Sequence, residues 1–380
     1  MFHSPSVLPH LIAPSAYRDD AWADRERGGL LASAWHLVGT QSELKHPGDF
    51  LTTELLGVPL QIRKFEGQLI AISNVCAHRH CLISSLPRGN SASMRCQYHG
   101  WEYGADGYTR KIPCAKDFAP IDREQLRLPR YNVETCGDLI FVRLAESGIG
   151  LMDFLGPIVP KILAGFGQES RCFLRWQVRY DANWKVAIEN SLEAYHVASV
   201  HPATFGSDPG EKRSEHILED RHTAFGTDLP FAHSKLDLTF QRCEGWVMKR
   251  LGRIPTRRYW QHHVFPNLLC SFTDAISLVH CVVPTGTTRS ISLVYQYGPC
   301  PTPVGAKRVL ARIWGFLEAA CTKRILQEDI EMYPKIQQGL NASQQRGTLA
   351  RSEERIHRFQ EFLSQQLQAG ASKACDPIAS

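Results

Sequence analysis

The chain has 380 residues, enough for two or three domains with a sizeable core. Its 43% hydrophobic and 21% charged content is that of an ordinary soluble protein, and the absence of any run of 18 apolar residues excludes a membrane-spanning helix. A net charge of +5 without a long basic block argues against a nucleic-acid partner and suits docking of an acidic protein. The first twenty residues lack a basic n-region and an apolar h-region, so a cytoplasmic location is expected. In that compartment twelve cysteines read as metal ligands or small buried hydrophobes rather than disulfides.

In chain order, residues 1–34 read as an irregular arm ending in a short helix over Asp24 to Leu31. Residues 35–145 read as short strands broken by turns. The clearest pair is Leu60–Phe65 and Leu69–Ile72, joined by Glu66-Gly67-Gln68 as a hairpin. Residues 146–365 form a second part that begins with a Pro-interrupted linker and the alternating strand Phe173–Tyr180. Pro202 to Pro230 is polar and Gly-rich, as expected of loops over a site. Strands are expected at Leu236–Phe240, Trp246–Leu251, Arg257–Val264, Leu268–Phe272, Ile276–Val283 and Ser290–Tyr297. An amphipathic helix follows from Val304 to Tyr333, stopped by Pro334, and residues 366–380 read as a flexible tail.

Two groups of residues carry chemistry. Cys76-Ala77-His78 and Cys96-Gln97-Tyr98-His99 supply two thiolates and two imidazoles, a count that suits one zinc ion. A Rieske [2Fe–2S] cluster has the same ligand set, with two cysteines on one iron and two histidines on the other. Each loop here contributes one of each type, and Gly100-Trp101 follows the second histidine. This Cys-x-His…Cys-x-x-His-Gly-Trp pattern resembles the Rieske iron–sulfur family. His80 and Gln97 depart from it, standing where glycine and proline are common.

The second group starts in Trp184–His201. If this stretch is a helix, Asn190, Glu193 and His196 are successive neighbours at i, i+3 and i+6. His201 is off that face, but Pro202 disfavours helical geometry before it, so a bend between the two histidines brings His201 back. Far downstream, Asp329 falls on the apolar stripe of its helix, where a carboxylate is costly unless paired or metal-bound. Two histidines and a carboxylate are the ligand types of a mononuclear non-haem Fe(II) site that leaves positions open for O₂ and substrate.

The order of these parts resembles the large subunit of Rieske non-haem iron oxygenases from about Trp35 to Leu340. The resemblance implies an α+β chain, with an all-β Rieske domain followed by a helix-grip, START-like antiparallel sheet. It assigns Cys76, His78, Cys96 and His99 to the cluster and His196 and His201 to iron. Asp329 becomes the third ligand because Glu328-Asp329 precedes Gln338-Gly339-Leu340 as in the family. A head-to-tail homotrimer is also implied, with Glu193 bridging His99 of one subunit to His196 of the next and Asn190 beside it.

The expected function is hydroxylation or oxidative demethylation of a small organic molecule. O₂ and electrons from NAD(P)H are used, the electrons passing through a separate ferredoxin or flavin reductase. Glutamate at position 193 slightly favours quaternary ammonium substrates, for which Trp246, Tyr259, Trp260, Phe265 and Phe272 are candidate cation-binding rings. Alternatives are the large subunit of an aromatic-ring dioxygenase and, in another class, a helix-grip ligand-binding or electron-transfer protein without oxygenase activity.

Overall fold

A computed structural model describes residues 2–230, 234–301 and 305–374. The chain divides into two units: Ala32–Phe154, and residues 1–31 together with the chain from Leu155 onward.

The first unit is all-β. Seven strands are ordered His36–Thr40, Leu139–Arg143, Arg130–Cys136, Gln68–Ser73, Val58–Phe65, Asp49–Leu55, Arg88–Asn90. The expected hairpin is present in antiparallel register, Phe65 opposite Gln68. Its turn residues Glu66 and Gly67 both have positive φ, as a two-residue hairpin needs to match the strand twist. A three-stranded sheet, Met94–Arg95, Glu102–Tyr103 and Thr109–Lys111, carries the second cysteine loop.

The second unit is built on a seven-stranded antiparallel sheet. Its order is Ser170–Tyr180, Arg289–Pro299, Ser277–Gly286, Leu268–Phe272, Arg258–Val264, His222–Asp228, Ser214–Leu218. The last two strands lie where the sequence suggested only loops. Besides the short helices Asp20–Arg25 and Val159–Gly165, this unit has helices α1 (Trp184–Ser191), α2 (Val197–Val200), α3 (Lys235–Leu251), α4 (Ala306–Ile330), α5 (Tyr333–Ala342) and α6 (Glu354–Ala374).

Three expectations are corrected here. Leu236–Phe240 and Trp246–Leu251 are not strands but the two ends of helix α3, which Ser234 caps by accepting from Asp237 N at 3.0 Å. Short apolar runs satisfy either period, and here Asp237, Phe240, Gln241 and Glu244 share a helix face. Pro334 does not simply end a helix. It sits in the first turn of α5, where its missing N–H costs nothing. The chain past Gln365 continues as α6 to Ala374 rather than as a tail, and residues 375–380 lie outside those described.

The arm belongs to this second unit. Leu8–Pro9 pairs with Thr348–Leu349, and the His3 and Ser4 N–H groups donate to the Glu354 carboxylate. Glu26 is buried beneath α1, accepting from Lys185 Nζ at 2.6 Å and Trp184 Nε1 at 2.8 Å. Asn183 caps α1 by accepting from the Lys185 N–H through its side chain.

Candidate active site

The helix that opens the site breaks earlier than the sequence suggests. Rather than bending between the histidines, α1 ends at Ser191, before Glu193. The Glu193 carboxylate then folds back and accepts from the backbone N–H of Tyr195 and of His196, the latter at 3.0 Å. This starts the single turn α2, with His196 and His201 at its two caps. The five-residue spacing is therefore one helical turn plus both flanking residues. Glu193 Oε1 also bonds His196 Nδ1, which turns Nε2 of that ring inward.

Asp329, in the last turn of α4, meets both rings. Its Oδ1 lies 3.0 Å from His201 Nε2 and 3.3 Å from His196 Nε2, and donor atoms of the three residues all lie within 4.8 Å of one another. Donors about 2.1 Å from one octahedral ion stand about 3 Å apart in cis positions, so this set fits a divalent metal. His201 Nδ1 bonds Glu328 Oε2 at 2.8 Å, so each imidazole has a carboxylate on its outer nitrogen. Burial works against charge on His196, but hydrogen bonds to Asp329 and Glu193 hold it up at about 10. Burial works against charge on Asp329 too, yet the two histidines hold it down at about 2. The site is thus organised around positive charge.

The triad opens into a cavity of about 260 Å³. Asn190 lines it and hydrogen-bonds Tyr333. Of the five candidate rings, only Tyr259 lines this cavity. Trp246 is exposed, Phe265 packs on Phe359 and Phe362, and Trp260 and Phe272 lie around Lys161 and His262. Alternation and aromatic content cannot say which sheet face looks into a cavity. Sequence reasoning also missed Glu328 as the partner of His201, although its place beside Asp329 was a signal, and missed Glu244 through the strand reading of α3.

In the β unit the four cluster candidates come together. Cys76 and Cys96 are buried and near enough to interact, and the His78 and His99 rings are 4.6 Å apart between centroids. His78 Nδ1 is buried without a hydrogen-bond partner, an orphan that a metal bond would satisfy. Its ring stacks on Trp101 at 4.9 Å, which accounts for the tryptophan after the second loop. Tyr103 Oη lies 3.0 Å from Cys76 Sγ and accepts from Ala77 N. Burial pushes the Cys76 thiol up, which keeps it from acting as a free nucleophile.

Both departures from the loop pattern have a physical reading. His80 takes φ = +58°, the left-handed geometry that glycine adopts freely and histidine tolerates better than most residues. Gln97 uses groups proline lacks: its N–H donates to Ile83 O, and its amide donates to Leu82 O and Ser85 Oγ.

Residues 169–369 match the family of ring-hydroxylating alpha subunits (catalytic domain), and residues 34–132 match the Rieske [2Fe–2S] domain. The chain belongs to the Rieske ring-hydroxylating oxygenase alpha-subunit family, which implies a cluster and a mononuclear iron. Among its relatives are the glycine betaine monooxygenase oxygenase subunit of Pseudomonas aeruginosa, 30% identical over 234 residues, and the carnitine monooxygenase oxygenase subunit of Escherichia coli, 27% identical over 190. These matches cover 58% and 49% of this chain, and they span only about half the relatives' length, 54% and 50%. The fold is that of a quaternary ammonium Rieske monooxygenase solved with L-carnitine, with a TM-score of 0.74, 19% identity and 96% of each chain covered. It is also that of naphthalene 1,2-dioxygenase from Rhodococcus sp., with a TM-score of 0.71, 18% identity and 96% and 94% covered. Among the described residues no helix is long and apolar enough to cross a membrane.

Proposed function

We propose that the chain is the oxygenase component of a Rieske system that hydroxylates or oxidatively demethylates a small organic substrate. Organic cations are favoured over arenes. Electrons come from NAD(P)H through a separate ferredoxin or flavin reductase. The observation that carries this reading is the convergence of His196, His201 and Asp329 on one point beside a cavity, in a chain that also gathers Cys76, His78, Cys96 and His99.

In this reading Cys76 and Cys96 hold one iron of a [2Fe–2S] cluster and His78 and His99 the other. His196, His201 and Asp329 hold a mononuclear Fe(II), which when bound supplies O₂ activation. Glu193 and Glu328 orient the imidazoles and keep them basic by accepting from Nδ1. Glu193 further serves as the contact through which the cluster histidine of a neighbouring subunit couples to His196, in a homotrimer. This is supported by a solved relative described in terms of inter-subunit electron transfer. Asn190 tethers the end of α1 to Tyr333, close to the triad. The preference for cations rests on the betaine- and carnitine-oxidising relatives and on the carboxylates of the cavity.

The test is metal analysis with reconstituted turnover. The protein is expected to hold roughly three irons per chain and to show a Rieske EPR signal on reduction. His196→Ala should keep the EPR signal, lose about one iron and lose NADH-dependent product formation. A protein with no Rieske signal, or an alanine variant with undiminished turnover, would sink the reading.

A further inference from the structure

The sheet wall of the cavity carries hydrogen-bond donors that the proposed chemistry does not use. Gln261, Ser271 and His280 line the cavity from three neighbouring strands, Arg258–Val264, Leu268–Phe272 and Ser277–Gly286. Gln261 is directly opposite Ser271, and His280, opposite Leu269, is diagonal to Ser271. Opposite and diagonal residues stand about 5 and 7–8 Å apart, so the three side chains can reach one ligand group.

The protons on these groups are set by what lies behind them. Ser292 Oγ is fully buried, 2.7 Å from His280 Nε2 and 3.1 Å from Tyr180 Oη. Among the described residues the buried Tyr180 hydroxyl has no other hydrogen-bond partner. A buried O–H left undonated is costly, so Tyr180 donates to Ser292 and Ser292 donates to His280 Nε2. The imidazole proton is then on Nδ1, which has no partner in the protein and is accessible from the cavity. Burial holds His280 down at about 4, so the ring is neutral and that N–H is its one donor.

Arg355, on α6, is 1% exposed and stands behind Gln261. It bonds only neutral groups: Nε donates to Thr223 Oγ1 at 3.2 Å, and Nη1 to Gln261 Oε1 at 3.0 Å and Leu192 O at 3.5 Å. Burial lowers it to about 9, which leaves it a cation, and no carboxylate is among the groups acting on its charge. Its Nη2 is buried without a partner, so toward the cavity the charge acts through Gln261. Arginine only donates, which makes Gln261 Oε1 the acceptor and turns the NH2 group away from it. One amide N–H goes to Tyr259 and the second is left over. Tyr259 Oη and Ser271 Oγ lie 3.1 Å apart and both residues line the cavity, so whichever donates to the other leaves one O–H free. The sheet wall itself carries no carboxylate; those that line the cavity belong to α3, α4 and the turn before α2.

We propose that His280, Gln261 and the Tyr259–Ser271 hydroxyl pair form a subsite for a carboxylate of the substrate, with Arg355 as the positioning residue that holds Gln261 and supplies the charge. This rests on reading the cavity as the oxygenation site, and it narrows the favoured organic cations to zwitterions.

The test is calorimetric binding to anaerobic, iron-loaded protein of three probes with one chain: 4-(trimethylammonio)butanoate, its methyl ester and butyltrimethylammonium. The acid is expected to bind at least about 10-fold more tightly than either of the others, because only it offers the donors a charged acceptor. His280→Phe should lower acid affinity about 10-fold and leave butyltrimethylammonium within about 3-fold. Gln261→Glu gives Arg355 the carboxylate it lacks, so Tm should hold or rise while acid affinity falls at least about 10-fold. A merely structural role would move the two together. Arg355→Met should lose about 10-fold in acid affinity and Arg355→Lys less. If the ester or the butyl probe binds as well as the acid, or if none binds, the subsite does not exist. Acid affinity unchanged in His280→Phe and Gln261→Glu also overturns it, since the preference then comes from the acid binding the iron. Should an Arg355 variant fail to fold, the probe ranking and the other two variants decide. Iron content and the reduced-cluster EPR signal are read on the same sample. A protein with both irons and no acid preference overturns the subsite only, whereas a protein without iron overturns the oxygenase reading.

Discussion

Glu26→Gln tests whether the arm holds the active-site helix in place. Lys185 lies in α1, the helix that leads to Glu193 and His196, and its ammonium is fully buried. The Glu26 carboxylate, 1% exposed, accepts from it at 2.6 Å and also takes the Trp184 indole N–H. Glutamine keeps an acceptor for the indole but removes the countercharge, leaving a buried ammonium uncompensated. Breaking a buried pair in this way costs about 3–5 kcal/mol. In a unit of this size each kcal/mol lowers Tm by roughly 2–4 °C, so a fall of about 6–20 °C is expected. The double variant Glu26→Gln with Lys185→Met removes both charges, keeps an acceptor for the indole and should recover most of the loss. The assay is thermal unfolding of the iron-loaded protein followed by far-UV circular dichroism, with release of mononuclear and cluster iron recorded in parallel. Mononuclear iron should be lost first, because the cluster candidates belong to the other unit. A single variant melting within about 1 °C of the parent, or a double variant worse than the single one, would refute the reasoning.

Three further outcomes are expected. Glu328→Gln weakens the carboxylate on His201 Nδ1 and should lower Fe(II) affinity about 10–100-fold in chelator competition, with the cluster spectrum unchanged. Tyr103→Phe removes the hydroxyl beside Cys76 Sγ; in the reduced cluster that donor stabilises the added negative charge, so the reduction potential should fall in a redox titration. Burial lowers His263 to about 3 and His280 to about 4, so the folded state binds fewer protons than the unfolded chain. Their contribution is complete above the unfolded pKa of about 6.5 and declines as pH falls toward the folded values, by up to about 2.7 kcal/mol per pH unit for the two together. Urea melts from pH 7 to pH 4.5 should show that loss, and a flat profile would contradict it.

Local chemistry was legible in the residues themselves. Cys-x-His with Cys-x-x-His pairs ligand types at spacings a single loop can present. Glu66-Gly67-Gln68 marked a hairpin turn, which the structure narrows to Glu66 and Gly67, because turns depend on residues within four positions of each other. Asp329 could be singled out because a carboxylate on an apolar stripe demands a partner.

What the tertiary structure decided were the juxtapositions. Sequence spacing put the break of the active-site helix after His196. The structure puts it before Glu193, because that carboxylate competes for the Tyr195 and His196 N–H groups. The helix over Lys235–Leu251 was hidden because short apolar runs fit either period until packing against α4 chooses. With it was hidden the meeting of Glu244 and Glu318, 74 residues apart in the chain, at one end of the cavity. Burial and convergence depend on contacts between distant segments, and a linear pattern holds no record of them.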